Sequence, residues 1–191
     1  MKTFITATLV TVILTILLGV IYPLAMTGIA QFLFPEKANG SLVMVKNSVV
    51  GSSLLGQSFG SPKYFHSRPS AAGDGYDPLK SGGSNLGPTS KALYDRIKHD
   101  ADSLHALYPE LKGDLPSDML TTSGSGLDPD ITLENALVQA PIVAKANNIS
   151  LDELKKMISE KLKGRDLGFI GEPRINVLEL NLAVLTKVKM Q

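Results

Sequence analysis

The sequence lacks cysteine and tryptophan, and neither sign of charge dominates it. Without cysteine, the chain can form neither a disulfide nor a thiolate metal site. The 19 basic residues nearly balance the 18 acidic ones, which gives a formal net charge of +1 at pH 7. Proteins that bind nucleic acid through phosphate contacts carry clustered basic residues in excess. We therefore expect no nucleic acid among the partners of this chain.

One long segment lacks charge altogether. No Asp, Glu, Lys or Arg lies between Phe4 and Phe34, with Lys2 before this run and Glu36 after it. A helix crosses the hydrocarbon core of a bilayer in about 20 apolar residues. The run therefore predicts a single transmembrane helix within residues 1–34 and a soluble domain over residues 35–191.

A cleaved signal peptide is the alternative interpretation of this run. Gly28-Ile29-Ala30 before Gln31 offers a small-x-small cleavage site, which would release a secreted periplasmic binding or scaffold protein. The apolar core is longer than that of a signal peptide, and Phe32-Leu33-Phe34 continue it past the cut, so we favour a retained anchor. The short amino end predicts a cytoplasmic N-terminus and a periplasmic or extracellular soluble domain.

The soluble part predicts a mixed α+β fold. Branched apolar residues at 42–45 and 49–50 predict a short hairpin or the first strands of a sheet, and residues 60–89 predict a long irregular loop rich in Gly and Pro. Such a loop is a candidate contact surface. Residues 115–130 also predict a loop. Three helices are predicted: from Thr89 or Ser90 as N-cap to Pro109, over about Leu133–Asn147, and over Ser150–Gly164.

The third helix has the clearest boundary signals. Ser150 and Glu153 form a capping box, and Ile149 and Leu154 occupy the hydrophobic-staple positions. Gly164 stands where a left-handed residue would end the helix.

Two segments are harder to assign. Pro141 should kink or divide the helix that contains it. Residues 174–188 alternate like a strand but also fit a helical period, so we predict a strand first and then a short helix.

The glycine-rich segments raise the question of a nucleotide site. Gly82 and Gly87 have the spacing of a P-loop, but Pro88 stands where that motif requires lysine. The turn Ser123-Gly124-Ser125-Gly126 offers successive backbone N–H groups that could bind an anion, or it forms a tight turn before a helix. His66, His99 and His105 do not have the spacing of metal ligands. We therefore predict no catalytic residue and no metal site.

Several motifs follow one another in an order that resembles a known family. They are Tyr22-Pro23-Leu24, Phe34-Pro35, Gly40-Ser41-Leu42, Gly56-Gln57-x-Phe59, Tyr64-Phe65-x-x-Arg68-Pro69-Ser70-Ala71, Ser84-Asn85-Leu86-Gly87-Pro88, Ser123-Gly124-Ser125-Gly126-Leu127-Asp128-Pro129 and Gly171-Glu172-Pro173-Arg174-x-Asn176-Val177-Leu178. Together they resemble the C-subunit (KdpC) family of the Kdp potassium-transporting P-type ATPases.

The resemblance implies a non-catalytic, single-span membrane subunit of a potassium uptake complex. Its implied partners are a channel-like potassium-binding subunit (KdpA), a catalytic P-type subunit (KdpB) and the lipid bilayer. ATP hydrolysis would take place on the catalytic partner. The resemblance also implies a catalytic-chaperone role that raises ATP affinity, with no tightly bound cofactor and with ATP held in a ternary complex with the catalytic subunit.

Within this family a glutamine has been proposed to contact nucleotide, and Gln139 matches it. The expected nucleotide-binding residues are therefore Gln139 and the turn Ser123, Gly124, Ser125 and Gly126. The chain departs from the family pattern nearby, because Ile142 stands where the pattern has arginine. A role that needs that arginine is not expected here.

Overall fold

The computed structural model describes residues 1–111 and 113–189 and divides into two compact units, 1–52 and 53–191. The first unit begins with an apolar helical segment over Lys2–Leu33, long and apolar enough to cross a membrane. It comprises α1 (Lys2–Ile16), a π-helical turn (Leu17–Ile21) and α2 (Tyr22–Leu33). The predicted transmembrane helix is thus present as a helix of sufficient length.

The π-helical turn lies immediately before Pro23. Proline has no N–H to donate to the carbonyl four residues earlier, and its ring crowds that carbonyl, so the helix widens there. The hydroxyls of Thr8 and Thr27 donate to the carbonyls of Phe4 and Pro23 at 2.9 and 2.8 Å. These two hydroxyls are thus satisfied within the helix itself, as an apolar surrounding requires.

A hairpin completes the first unit. After the short α3 (Pro35–Ala38), β1 (Leu42–Val45) pairs antiparallel with β2 (Ser48–Ser52). Lys46 and Asn47 join the strands with φ angles of +46° and +65°, the left-handed pair that a two-residue hairpin turn requires. This confirms the hairpin predicted for this part of the sequence.

The described part of the second unit contains the predicted helices and a short one between them that was not predicted. They are α4 (Lys91–Leu107), α5 (Ser117–Leu120), α6 (Leu133–Asn147), α7 (Leu151–Lys161) and α8 (Val177–Val188), with the two-residue strands β3 (Asp130–Ile131) and β4 (Ile175–Asn176) paired antiparallel. Residues 53–90 lie outside helices and strands. The mixed α+β architecture is therefore confirmed.

The core of the second unit lies among α6, α7, α8 and one residue of the irregular segment. Phe65 from that segment is fully buried together with Leu154, Ile158, Leu180 and the other core residues Ile131, Ala136, Ala140, Val143, Ala144, Ile149, Ile175, Val177 and Val184. The long irregular segment is therefore held to the helical core by a large aromatic side chain.

The capping signals of α7 are confirmed in part at its start. The Ser150 hydroxyl accepts a hydrogen bond from Glu153 N–H at 3.2 Å, and Ile149 and Leu154 are both buried. The Glu153 carboxylate does not complete the capping box, because it forms an ion pair with Lys187 instead. The prediction at its end is wrong, because α7 stops at Lys161 and Gly164 does not adopt a positive φ angle.

The cause of the early stop is a strand-like pairing beyond the helix. Lys163 and Arg174 exchange two backbone hydrogen bonds, each of 2.9 Å, which draws the chain into an extended conformation before Gly164. Gly164 is therefore not needed as a helix-ending residue.

Three further expectations need correction. α5 lies within residues 115–130, which were expected to form only a loop. The strand predicted after Arg174 is only two residues long, because the Asn176 side chain accepts from Glu179 N–H at 3.1 Å and starts α8 at once. Pro141 does not divide α6, which continues through it from Leu133 to Asn147, and Pro141 lies at an exposed position.

Candidate functional site

Buried carboxamide side chains from α6 and α8 bind the backbone of the irregular segment at residues 63–66. Asn147 Nδ2 donates to Lys63 carbonyl at 2.8 Å. Phe65 N–H donates to Asn181 Oδ1 at 2.7 Å, and Asn181 Nδ2 donates back to Phe65 carbonyl at 2.9 Å. These contacts, together with that of Gln139 described next, form what we call the carboxamide clamp.

Gln139 is the member of the clamp that the sequence singled out. Its Oε1 accepts from His66 N–H at 2.8 Å, and its Nε2 donates to His66 carbonyl at 3.1 Å and to Asn135 Oδ1 at 2.7 Å. The residue is only 5% exposed. Both amide hydrogens and the amide oxygen of Gln139 are thus engaged inside the protein.

A cavity of about 80 Å³ lies beside the clamp. Its wall combines four polar residues with a larger apolar set, and the lining residues are Tyr64, His66, Ser67, Leu104, Tyr108, Leu111, Met119, Asn135, Gln139, Ile142 and Val143. Within residues 1–111 and 113–189, neither Nε2 of His66 nor Oγ of Ser67 has a hydrogen-bond partner, although both atoms are buried. The cavity can therefore accommodate a small group that hydrogen-bonds at this end.

Ile142, where the resemblance described above predicts an arginine, is part of the cavity wall and is 9% exposed. A guanidinium at this position would place a cation beside His66 and Ser67. The isoleucine instead extends the apolar part of the wall.

The turn Ser123–Gly126 lies in a second cluster of hydrogen bonds. Gly126 N–H donates to Ser123 Oγ at 2.9 Å, and Leu127 N–H donates to Ser125 Oγ at 3.1 Å. The carbonyl of Ser125 accepts from Gly82 N–H at 2.8 Å. At least two N–H groups that an anion would use are therefore bonded to the hydroxyls of the turn itself.

Close packing fixes this turn against the segment that precedes α4. Gly126 has a φ angle of +68°, and a Cβ atom there would lie 2.6 Å from the Gly82 carbonyl oxygen and 2.8 Å from Ala72 N. Only glycine fits this position, both for its backbone conformation and for its contacts.

Arg68 and Ser70 join the two most specific sequence motifs to each other. Arg68 donates to the carbonyls of Thr121 and Thr122, each at 3.3 Å, and forms an ion pair with Asp128 at 3.2 Å. Ser70 Oγ donates to Gly126 carbonyl at 2.6 Å. The motif at 64–71 and the motif at 123–129 are therefore two halves of one structural unit.

The predicted nucleotide residues fall into two places. Gln139 lines the cavity, whereas Ser123, Gly124, Ser125 and Gly126 pack against residues 70–83 and are not among the residues that line it. No hydrogen bond among the described residues joins Gln139 to the turn. The nucleotide contact itself stays a prediction.

A polar cleft near Arg68 contains several carboxylates. It is lined by Asp118, Asp128 and Asp130 together with Arg68 and Arg174, which form ion pairs with Asp128 and Asp130 at 3.2 and 3.4 Å. Burial raises the pKa of Asp130, and the neighbouring Asp128 adds to this rise. Among the described residues no group of three or more His, Asp or Glu is placed to hold a metal ion.

Sequence reasoning missed several features of the site. It missed the roles of His66, Asn147 and Asn181, although an asparagine amid the apolar residues of α8 is a visible signal of a buried polar contact. It also missed that Gly56-Gln57-Ser58-Phe59-Gly60 has the glycine spacing of a serine nucleophile elbow. In hydrolases the nucleophile elbow joins a strand to a helix. Residues 56–60 of this chain lie in neither a strand nor a helix, and Ser58 is exposed.

His66 provides a test of the cavity by pH. Burial lowers the pKa of His66 below its ordinary value of 6.5, and a hydrogen bond with the Ser61 backbone opposes this shift to a smaller extent. Between the two pKa values the unfolded chain binds more protons than the folded protein, so the free energy of unfolding rises with pH. We expect stability to fall as the pH drops below about 6.5, measured as the denaturant midpoint of the full chain in detergent.

The test variant is His66→Gln. It should flatten the pH dependence of the denaturant midpoint between about pH 5 and pH 7. An unaltered slope in His66→Gln would contradict this assignment.

Comparison with known proteins places these motifs in a family. The family described as "KdpC: K+-transporting ATPase, c chain" matches residues 4–186. A potassium-transporting ATPase KdpC subunit of Koribacter versatilis is 51% identical, over 95% of this chain and 93% of its own length. Those of Rhodopseudomonas palustris and Caulobacter sp. strain K31 are 53% and 54% identical, over 93% and 87% of this chain and 94% and 85% of their own lengths. The chain belongs to the KdpC family.

Proposed function

We propose that this chain is an accessory, non-catalytic subunit of a potassium-transporting ATPase that stabilises the assembled complex. Membership of the KdpC family is the observation that carries the proposal. The geometry agrees with it, because the polar side chains of the family motifs hold loops together. Arg68, Ser70 and Gln139 all bind backbone groups of neighbouring segments.

The partners in this proposal are the channel-like potassium-binding subunit and the catalytic P-type subunit, KdpA and KdpB. ATP hydrolysis is assigned to the catalytic partner. The apolar helix Lys2–Leu33 anchors the chain in the same membrane as these subunits. An anchored body meets its partners at a high effective concentration, so contacts that are individually weak suffice for assembly.

The assembly role predicts the result of removing the chain. In cells that lack it, the remaining subunits should be recovered together in much lower yield, and potassium uptake at low external potassium should fall by about tenfold or more. Co-purification on a tagged catalytic subunit and uptake measurements test this. Unchanged recovery and uptake would refute the proposed function.

We further propose that the soluble domain lies outside the cytoplasm. The amino terminus is short and carries one early lysine, Lys2, ahead of the apolar run, and such an end stays inside most easily. Protease added to intact spheroplasts should then digest the domain and leave an anchored fragment. In inverted vesicles the domain should be protected, and the reverse pattern would overturn this orientation.

We also propose that this chain influences the ATP affinity of the catalytic subunit. Gln139 can contact a nucleotide directly only after it releases His66, because its amide hydrogens and oxygen are engaged. A domain outside the cytoplasm would not meet cytoplasmic ATP. We therefore propose that Gln139 and the Ser123–Gly126 turn affect ATP affinity through the shape of this subunit in the complex.

Two matched variants distinguish a direct contact of Gln139 with the nucleotide from an effect transmitted through the loop. Gln139→Ala and Asn181→Ala each break two hydrogen bonds to the same loop, at His66 and at Phe65. Each should lower the free energy of unfolding by about 1–3 kcal/mol, because buried backbone groups lose their partners. If the effect is transmitted by the loop, both variants should raise the ATP concentration needed for half-maximal hydrolysis by the assembled complex.

The two variants also show how this proposal fails. A change in ATP dependence with Gln139→Ala alone, at equal loss of stability, would support direct nucleotide contact instead. Unchanged ATP dependence in both would leave Gln139 with a purely structural role.

A further inference from the structure

The cavity beside the carboxamide clamp has a polar end formed by His66 and Ser67. Their atoms Nε2 and Oγ are buried, and in the part of the chain that the structure describes neither has a hydrogen-bond partner. Gln139 lines the same cavity, but its amide is already engaged by the His66 backbone and by Asn135. A buried polar atom without a partner is costly, so this end of the cavity favours a ligand that can pair with both atoms.

The tautomer of the His66 ring decides what that ligand must offer. Burial lowers the pKa of His66, so the ring is neutral at pH 7. The hydrogen bond with the Ser61 backbone opposes this shift, which means that the ring donates in it. Because Nε2 has no partner, the donor is Nδ1. In a neutral ring with its proton on Nδ1, the atom Nε2 is an acceptor.

The polar end therefore combines an acceptor on His66 with a hydroxyl on the next residue, Ser67. A ligand hydroxyl matches this pair, because it can donate its hydrogen to Nε2 and accept from the Ser67 hydroxyl. A carboxylate has no hydrogen to donate, and its oxygens would face the lone pair of Nε2. The pairing thus selects an alcohol over an acid.

The remainder of the cavity excludes charge. Its apolar wall consists of Leu104, Leu111, Met119, Ile142 and Val143, and no described lining residue carries a charge while His66 is neutral. A carboxylate or an ammonium group bound there would lose its hydration without gaining a counter-ion, which costs far more than the burial of a hydroxyl. The expected ligand is therefore uncharged and has an apolar body.

The volume limits the size of that body. The cavity measures about 80 Å³. An engineered apolar cavity that takes up benzene measures about 150 Å³, so a smaller body, such as a chain of about three or four carbons, suits this one. Leu104 and Tyr108 in the wall are only half-buried, so the cavity can be reached from the surface at the end of α4.

We propose that this cavity is a binding site for a short-chain, uncharged alcohol. The ligand hydroxyl donates to His66 Nε2 and accepts from Ser67 Oγ, and its carbon chain contacts the apolar wall that contains Ile142. The proposal goes beyond the assembly role and does not depend on it, because all the lining residues belong to the second unit.

Three probes with the same carbon chain test the chemistry on the unaltered full chain in detergent. n-Butanol should bind saturably, in the millimolar range or tighter. Butyrate and butylammonium should bind at least about tenfold more weakly, because each would bring an unpaired charge into the cavity. The measurement is the nuclear magnetic resonance signal of Nε2 in isotope-labelled His66, which should shift as this atom accepts the hydrogen bond. The ring signal of the exposed His99 should not move.

A pair of serine variants tests the position of the site. Ser67→Ala should raise the Kd for n-butanol about fivefold, the factor expected for one hydrogen bond. Ser58→Ala is the matched control, because Ser58 is exposed and does not line the cavity, and it should leave this Kd unchanged.

Three results would each overturn the inference: no saturable shift of His66 with n-butanol, equal affinity for the two ions, or the same Kd in Ser67→Ala as in the unaltered chain. If the denaturant midpoint shows that Ser67→Ala does not fold, the three probes still decide on the unaltered protein. Failure here leaves the proposed assembly role standing, because that role is tested by removal of the chain.

Discussion

The second unit depends on pairing between side-chain amides and the backbone of a long irregular segment. A buried backbone N–H or C=O without a partner is costly, and residues 53–90 have no strand or helix of their own to supply partners. A carboxamide carries a donor and an acceptor in the same arrangement as a peptide group. Gln139 and Asn181 therefore pair with His66 and Phe65 as a neighbouring strand would. With its backbone satisfied in this way, Phe65 can enter the core.

The same requirement explains why the most specific motifs are rich in small and polar residues. The Ser70 hydroxyl accepts from Tyr76 N–H at 2.7 Å and donates to the Gly126 carbonyl. This one hydroxyl therefore stabilises the turn of residues 70–76 and joins it to the turn at Gly126. Arg68 connects three further groups of the facing segment. Loops that bind each other through backbone groups approach closely, and Gly126 is required where they meet. These residues preserve a shape rather than form a reaction centre.

Local signals in the sequence predict the local structure of this protein, but they do not predict contacts between residues that are far apart in the chain. Ser150 marks the start of α7 because its partner, Glu153, lies three residues away. The bonds of Gln139 to His66 and of Asn181 to Phe65 span 73 and 116 residues, and no periodicity encodes such pairs. The prediction that Gly164 ends α7 was wrong for the same reason, because the pairing of Lys163 with Arg174, eleven residues away, ends the helix earlier. The family resemblance identified Gln139, but only the fold shows what its amide binds.

Rigidity connects this architecture to the proposed assembly role. An accessory subunit contributes most to a complex when its contact surfaces are formed before binding, because ordering a loop at an interface opposes association. The carboxamide clamp binds the backbone of residues 63–66 from both α6 and α8. In the proposed complex the apolar helix would hold the body near its partners, which allows each contact surface to be small. A subunit of this kind acts through its position in the complex and the shape of its contact surfaces. Neither of these requires a catalytic residue.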